Sequence, residues 1–318
     1  MHLFLAIGAC TAGNEGIDSG PVMDPTAPVV EASMITVDPA LVAPAVVAHN
    51  GPHVVGIPGS AHRRDQLLLF FPGTGATAGD YLRFLTHATE RGFFVVGLSY
   101  DNRDSVNFDI CRPYPDDESC PRDARLEVLR GVASAYSPPE VDKENAAYAR
   151  LRGLLAWLAE TTDPDWAQFL DANNADGIRF PQVVTAGHSQ GGGHAAFTAR
   201  LHPVARALLF DATEAAMWTS EPLATDPRRL YAVVHIEEFG AGAIQRSWDQ
   251  LGVPSGSLAL GDPLPSPLTG HRFVIERDDC TGEGNARLHN CAVADAFLPP
   301  DGPDGAVFDP LWNAMLGD

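Results

Sequence analysis

The sequence predicts an α/β fold, a mostly parallel central sheet with helices on both faces, and three observations point to it. Apolar runs of strand length recur at residues 66–71, 93–100, 183–186, 207–210, 230–236 and 272–275. Runs that are apolar on both faces belong to strands covered on both sides. Helical stretches lie between them, which is the alternation that builds a parallel sheet. Finally, the run at 183–186 passes straight into a glycine-flanked turn and a helix of small residues. A chain of 318 residues can bury one sizeable core, so a single α/β domain is expected over residues 36–318.

Taken in order, the chain opens with Leu5-Ala6-Ile7-Gly8-Ala9-Cys10, an apolar start ending in small residues before a thiol. This resembles a bacterial lipoprotein signal over residues 1–10, which implies lipidation of Cys10. Residues 11–35 are rich in Gly, Pro, Asp and Ala without apolar periodicity, as a flexible tether would be. Short strands are expected at 45–48 and 53–57, separated by the turn signal Asn50-Gly51-Pro52, as the antiparallel start of the sheet. Residues 102–135 interrupt the alternation and are expected to make an excursion over the top of the sheet. Ser137-Pro138-Pro139-Glu140 has the pattern of a helix start, with a capping serine and proline at the first position. Tyr148, Leu151, Leu155 and Leu158 then follow at helical spacing and form a core stripe.

Charge and cysteine usage narrow the setting. A formal net charge of −20 repels nucleic acid and anionic membrane surfaces, which excludes both as partners. No apolar run approaches the length of a bilayer span, so membrane association would come only through the N-terminal lipid. Four of the five cysteines fall in two close pairs, Cys111 with Cys120 and Cys280 with Cys291, within polar, turn-rich intervals. Three pairings are open to them. Neighbour pairing closes the shortest loops at the lowest entropic cost and implies an oxidising, exported location.

The segment that carries chemistry is Gly187-His188-Ser189-Gln190-Gly191. A serine hydroxyl is a poor nucleophile unless a sharp turn holds it out beside a base. The G-x-S-x-G spacing supplies such a turn, with glycines that let strand and helix approach closely. Here it follows an apolar strand and precedes a helix, so Ser189 is the candidate nucleophile. The stretch resembles the α/β-hydrolase superfamily, particularly its bacterial esterase and lipase-like branch. The likeness runs from about residue 45 onward and is strongest at the elbow and at Phe71-Pro72-Gly73-Thr74-Gly75.

That resemblance implies the α/β-hydrolase fold, no cofactor, and a triad in the order serine, acid, histidine. The N–H of Gln190, after the nucleophile, is one expected oxyanion donor. Thr74, with Gly75 as the fallback, is the other. His289 is the expected base: it follows the last strand and sits two residues before Cys291, whereas His271 enters that strand at its start. For the acid, Glu238 is preferred, with Glu237 and Asp211 as competitors. Alternation along an extended segment lets only one of the two glutamates face the histidine. His188 is expected to point away from the hydroxyl, and neither it nor His194 reads as the base. Asp116-Asp117-Glu118 reads as a solvated loop, and with no H-E-x-x-H or paired histidine spacing no metal site is expected.

The expectation is therefore an exported serine hydrolase acting on small-molecule or lipid carboxylic esters. An acyltransferase, a peptidase, or a non-catalytic surface binding protein are the alternatives on the same scaffold.

Overall fold

The computed structural model describes residues 31–46, 49–262, 264–265, 267–302 and 306–317. The expected export signal with Cys10, and the tether up to residue 30, lie outside the described residues. Nine strands form one sheet: β1 (Ser33–Val37), β2 (His53–Ile57), β3 (Leu67–Phe71), β4 (Phe94–Gly97), β5 (Val183–His188), β6 (Arg206–Phe210), β7 (Leu230–His235), β8 (Ser257–Leu260) and β9 (Arg272–Ile275). Their order is β1-β2-β4-β3-β5-β6-β7-β9-β8. The β1–β2 and β2–β4 pairs are antiparallel and the rest are parallel. The predicted α/β class and mostly parallel sheet are therefore present.

The helices are α1 (Pro39–Val42), α2 (Leu82–Glu90), α3 (Cys120–Arg130), α4 (Ala147–Thr161), α5 (Gln190–Leu201), α6 (Ala241–Gln250), α7 (Gly284–Asn290) and α8 (Asp309–Leu316). They cover both faces of the sheet. Along β3, Leu67, Leu69 and Phe71 pack into one core with α4, α5 and α6, while Leu68 and Phe70 pack into the other with α2 and α8. This alternation explains the unbroken apolar run: each face of the strand has its own core. Among the described residues, no helix is long and apolar enough to cross a membrane.

Two sequence expectations are corrected. The strand that opens the sheet is Ser33–Val37, starting inside the expected tether, and not 45–48. Ala45 lies in a turn, Val46 is outside any strand, and 47–48 are outside the described residues. As an edge strand paired only to β2, β1 stays partly exposed and never needs a continuous apolar run. The helix expected from Pro138 begins instead at Ala147. Pro139 disfavours the helical region for Pro138, so the capping pattern has no helical turn to cap. The core stripe itself is as expected, with Tyr148, Leu151, Leu155 and Leu158 all buried.

The order β4-β3-β5-β6 creates a switch point. The chain leaves β3 toward β4 on one side and leaves β5 toward β6 on the other, which opens a crevice at the strands' carboxyl ends. The loop after β3 and the turn after β5 meet there. A Cβ placed on Gly73 would lie 3.4 Å from the Cβ of Ser189.

Candidate active site

Ser189 occupies the single residue between β5 and α5, with φ 53° and ψ −122°. An L-residue at positive φ is strained, and such strain persists only where the surroundings over-determine it. Here they do. The Ser189 N–H donates to the Phe210 carbonyl at 2.9 Å, tying the turn to β6. The two motif glycines let the helix sit against the strand: a Cβ on Gly187 would come within 2.3 Å of the Gly191 carbonyl carbon, and one on Gly191 within 2.0 Å of the Phe71 carbonyl oxygen. Among the described residues one other non-glycine has positive φ, Asp211 at 47°, immediately after β6.

The expected base and acid come together. His289 lies near the end of α7 rather than in a loop, and its Nδ1 is 3.1 Å from Glu238 Oε1. The approach lacks the alignment of a hydrogen bond. The two adjacent glutamates face opposite ways: Glu238 is buried and Glu237 is exposed. His271 stands at the far end of the sheet, its Nδ1 3.0 Å from the Leu230 carbonyl and its ring stacked on Tyr231. The third acid considered, Asp211, is buried close by. One donor or acceptor atom each from Asp211, Glu238 and His289 lies within 4.8 Å of the others. Burial, with the charge of Glu238, raises the Asp211 carboxyl well above its ordinary range, against the bond it accepts from the His235 N–H.

The Cys280–Cys291 bridge spans α7 and so fixes the element carrying His289, while Cys111–Cys120 ties the 106–110 turn to α3. Both neighbour pairings are thus present. Cross-linking over 11 residues should stabilise the fold by about 3 kcal/mol. The double variant Cys280→Ser/Cys291→Ser should melt at a clearly lower temperature by calorimetry; an unchanged Tm would mean that packing alone holds α7.

The N–H groups of Thr74 and Gln190 find no acceptor among the described residues, whereas the Gly75 N–H is already spent on the Asn102 carbonyl at 2.9 Å. Asn102, buried at the end of the strand region after β4, also donates its side-chain amide to the Gly73 and Ala76 carbonyls at 2.5 and 2.8 Å. It pins the loop, a role its position as a strand-ending polar residue did not announce. The Gln190 side chain accepts the Val106 N–H at 2.7 Å and so joins the elbow to the excursion.

His188 does turn away from the serine, but it does more than pack. Gly73 N–H donates to the Tyr81 hydroxyl (3.2 Å), which lies 3.0 Å from His188 Nδ1, and His188 Nε2 lies 2.8 Å from the His289 carbonyl. One tautomer satisfies the whole chain: Tyr81 O–H donates to Nδ1, and Nε2–H donates to the carbonyl. The loop after β3 and the helix carrying His289 are thereby linked through the elbow itself. Such a chain needs a neutral ring, and burial, then the neighbouring His289, holds His188 down to about 3. His53, buried and accepting the Ser99 N–H, is likewise held at about 3.

These two rings make acid costly. Their folded-state values lie below the unfolded value near 6.5, so as pH falls the unfolded chain takes up protons that the fold refuses. Each should remove about 1.4 kcal/mol of stability per pH unit below 6.5. Urea unfolding at pH 6.5 and pH 5, above most carboxylate titrations, should show this decline, and equal stability at the two would refute it.

The serine, histidine and carboxylate all open on one cavity of about 580 Å³. The excursion forms one wall with Ser105–Asp109 and Arg125, as its expected course over the sheet implies. Phe108 and Phe239, both exposed, line the cavity as a tilted aromatic pair with ring centroids 6.5 Å apart. Val106, Ala212, Ala243 and Ile244 extend the apolar lining. Arg125, which reaches the elbow through the Gln190 carbonyl, is occupied by Glu214 at 2.6 and 3.1 Å. Burial pushes the Glu214 carboxyl up, but the charge and hydrogen bonds of Arg125 outweigh it and hold the group low. The remaining ionisable side chains with carboxyl groups in the lining are Asp109, Asp211 and Glu238.

The chain matches no protein-family model and no curated protein, so what this site does has to be read from its own residues.

Proposed function

We propose that the protein is a serine hydrolase of the α/β-hydrolase type that cleaves carboxylic esters through an acyl-enzyme. The observation that carries this reading is Ser189, held at positive φ on a strand-to-helix turn that shares a cavity with His289 and the buried Glu238. Strain at such a turn is a device for presenting a nucleophile. Ser189 Oγ attacks the ester carbonyl while His289 takes its proton on Nε2. Glu238, at Nδ1, orients the ring and stabilises the imidazolium. The Thr74 and Gln190 N–H groups receive the oxyanion, and His289 returns the proton to the departing alcohol. Water then repeats the sequence on the acyl-enzyme.

The apolar walls and the acidic remainder of the lining favour neutral esters with an apolar acyl or alcohol group over anionic ones. The two disulfides fit an exported protein, and a lipid on Cys10 would hold it at the cell envelope. Labelling by a fluorophosphonate, wild type beside Ser189→Ala, tests the reading. Covalent labelling that vanishes in the variant is the expected result. A folded, disulfide-intact wild type that takes no label would overturn it in favour of a binding protein.

A further inference from the structure

Two buried carboxyls stand behind His289 where one would orient it. Asp211 comes from the turn after β6 and Glu238 from the turn after β7, and they are 2% and 5% exposed. Each has one oxygen without a partner, Asp211 Oδ2 and Glu238 Oε2. The other Asp211 oxygen accepts only the His235 N–H, at 3.3 Å. The groups around the pair do little to neutralise it. His289 faces it from α7. The His188 ring, on the β5 side, is neutral and fully used in its chain. On β7 the His235 ring contacts the Arg277 carbonyl and accepts the Glu237 N–H. Arg125 from α3 is bound to Glu214. Two carboxylates this close in a poorly solvated site cannot both ionise, so one keeps a proton. Glu238 touches His289 Nδ1, so the charge belongs there and the proton on Asp211.

We propose that Asp211 and Glu238 act as one acid with a single shared proton, Asp211 being the protonated positioning residue that leaves Glu238 as the carboxylate orienting His289. This rests on the hydrolase reading for its catalytic meaning, though the shared proton does not. The strained φ of Asp211 fits the role, since the turn aims its side chain back at the site instead of continuing β6.

Infrared difference spectra of the whole protein across pH, with kinetics on a neutral ester, test the proposal. A protonated-carboxyl band at neutral pH should be present in the wild type and absent in Asp211→Asn. In Glu238→Gln the band should persist only to lower pH, because the neighbouring charge has gone. Asp211→Asn should lose no more than about tenfold in kcat/KM, its amide standing in for the neutral acid, while Glu238→Gln should lose about ten-thousandfold, as when the acid of a serine protease triad is amidated. No such band in the folded wild type, or the two kinetic effects exchanged, would overturn the proposal. The band without any ester turnover would uphold the shared proton and instead sink the hydrolase reading.

Discussion

Ser189→Ala is expected to lower turnover of a neutral ester by about a millionfold, and adding His289→Ala to it should cost almost nothing more. Groups that act as a unit behave in this way: once the nucleophile is gone, the base has no proton to take. On the proposed mechanism the residual rate should remain about a thousandfold above water, because the Thr74 and Gln190 N–H groups and the apolar cavity would still receive the substrate and its oxyanion. The elbow geometry does not depend on the hydroxyl. Ser189 is held by its backbone bond to Phe210 and by the close packing of Gly187 and Gly191, so the alanine variant should fold as the wild type does. Steady-state kinetics of the two single variants and the double variant decide the matter. Additive losses would mean that His289 works independently of Ser189, and the proposed proton transfer between them would fall.

The parts of this site that could be read from sequence are those where local chemistry dictates local shape. Gly187 and Gly191 are needed wherever a helix doubles back on its strand, so the turn at Ser189 was legible from five residues. The two disulfides were legible because short polar loops between cysteines close cheaply. Alternation allowed only one of Glu237 and Glu238 to face the histidine, and Glu238 was preferred as the one further into the loop, although only the fold shows how close it comes to His289. What stayed hidden depends on contacts between segments far apart in the chain. The approach of Asp211 to Glu238 needs β6 and β7 to be neighbours, which no run of apolar residues specifies. The same holds for the chain from Gly73 through Tyr81 and His188 to His289, which joins four separate segments. The edge strand β1 was missed for a different reason. With Ser33 and Thr36 exposed, it lacks the unbroken apolar run that marks the strands covered on both faces.

Gly191→Ala should be more damaging than the same methyl at the other elbow glycine, Gly187. A Cβ on Gly191 would lie 2.0 Å from the Phe71 carbonyl oxygen and 2.6 Å from that of Pro72. Both are main-chain atoms at the end of a central strand, so no side chain can rotate out of the way. The remaining course is for α5 to lift from β3, which loosens a contact buried on every side and costs about 3 kcal/mol or more. Lifting the first turn of α5 also moves Ser189 and Gln190 away from the Thr74 loop, and a displacement of about 1 Å at the chemistry is worth roughly a hundredfold in rate. The same substitution at Gly242, on the exposed side of α6, has the opposite sign. Only the end of the Arg246 side chain is near, at 3.6 Å, and alanine is favoured over glycine in a helix by about 0.5–1 kcal/mol. Denaturation midpoints for the two variants should therefore move in opposite directions from the wild type. A Gly191→Ala protein of wild-type stability and activity would mean that helix and strand are not pressed together at the elbow, and the strained presentation of Ser189 would lose its support.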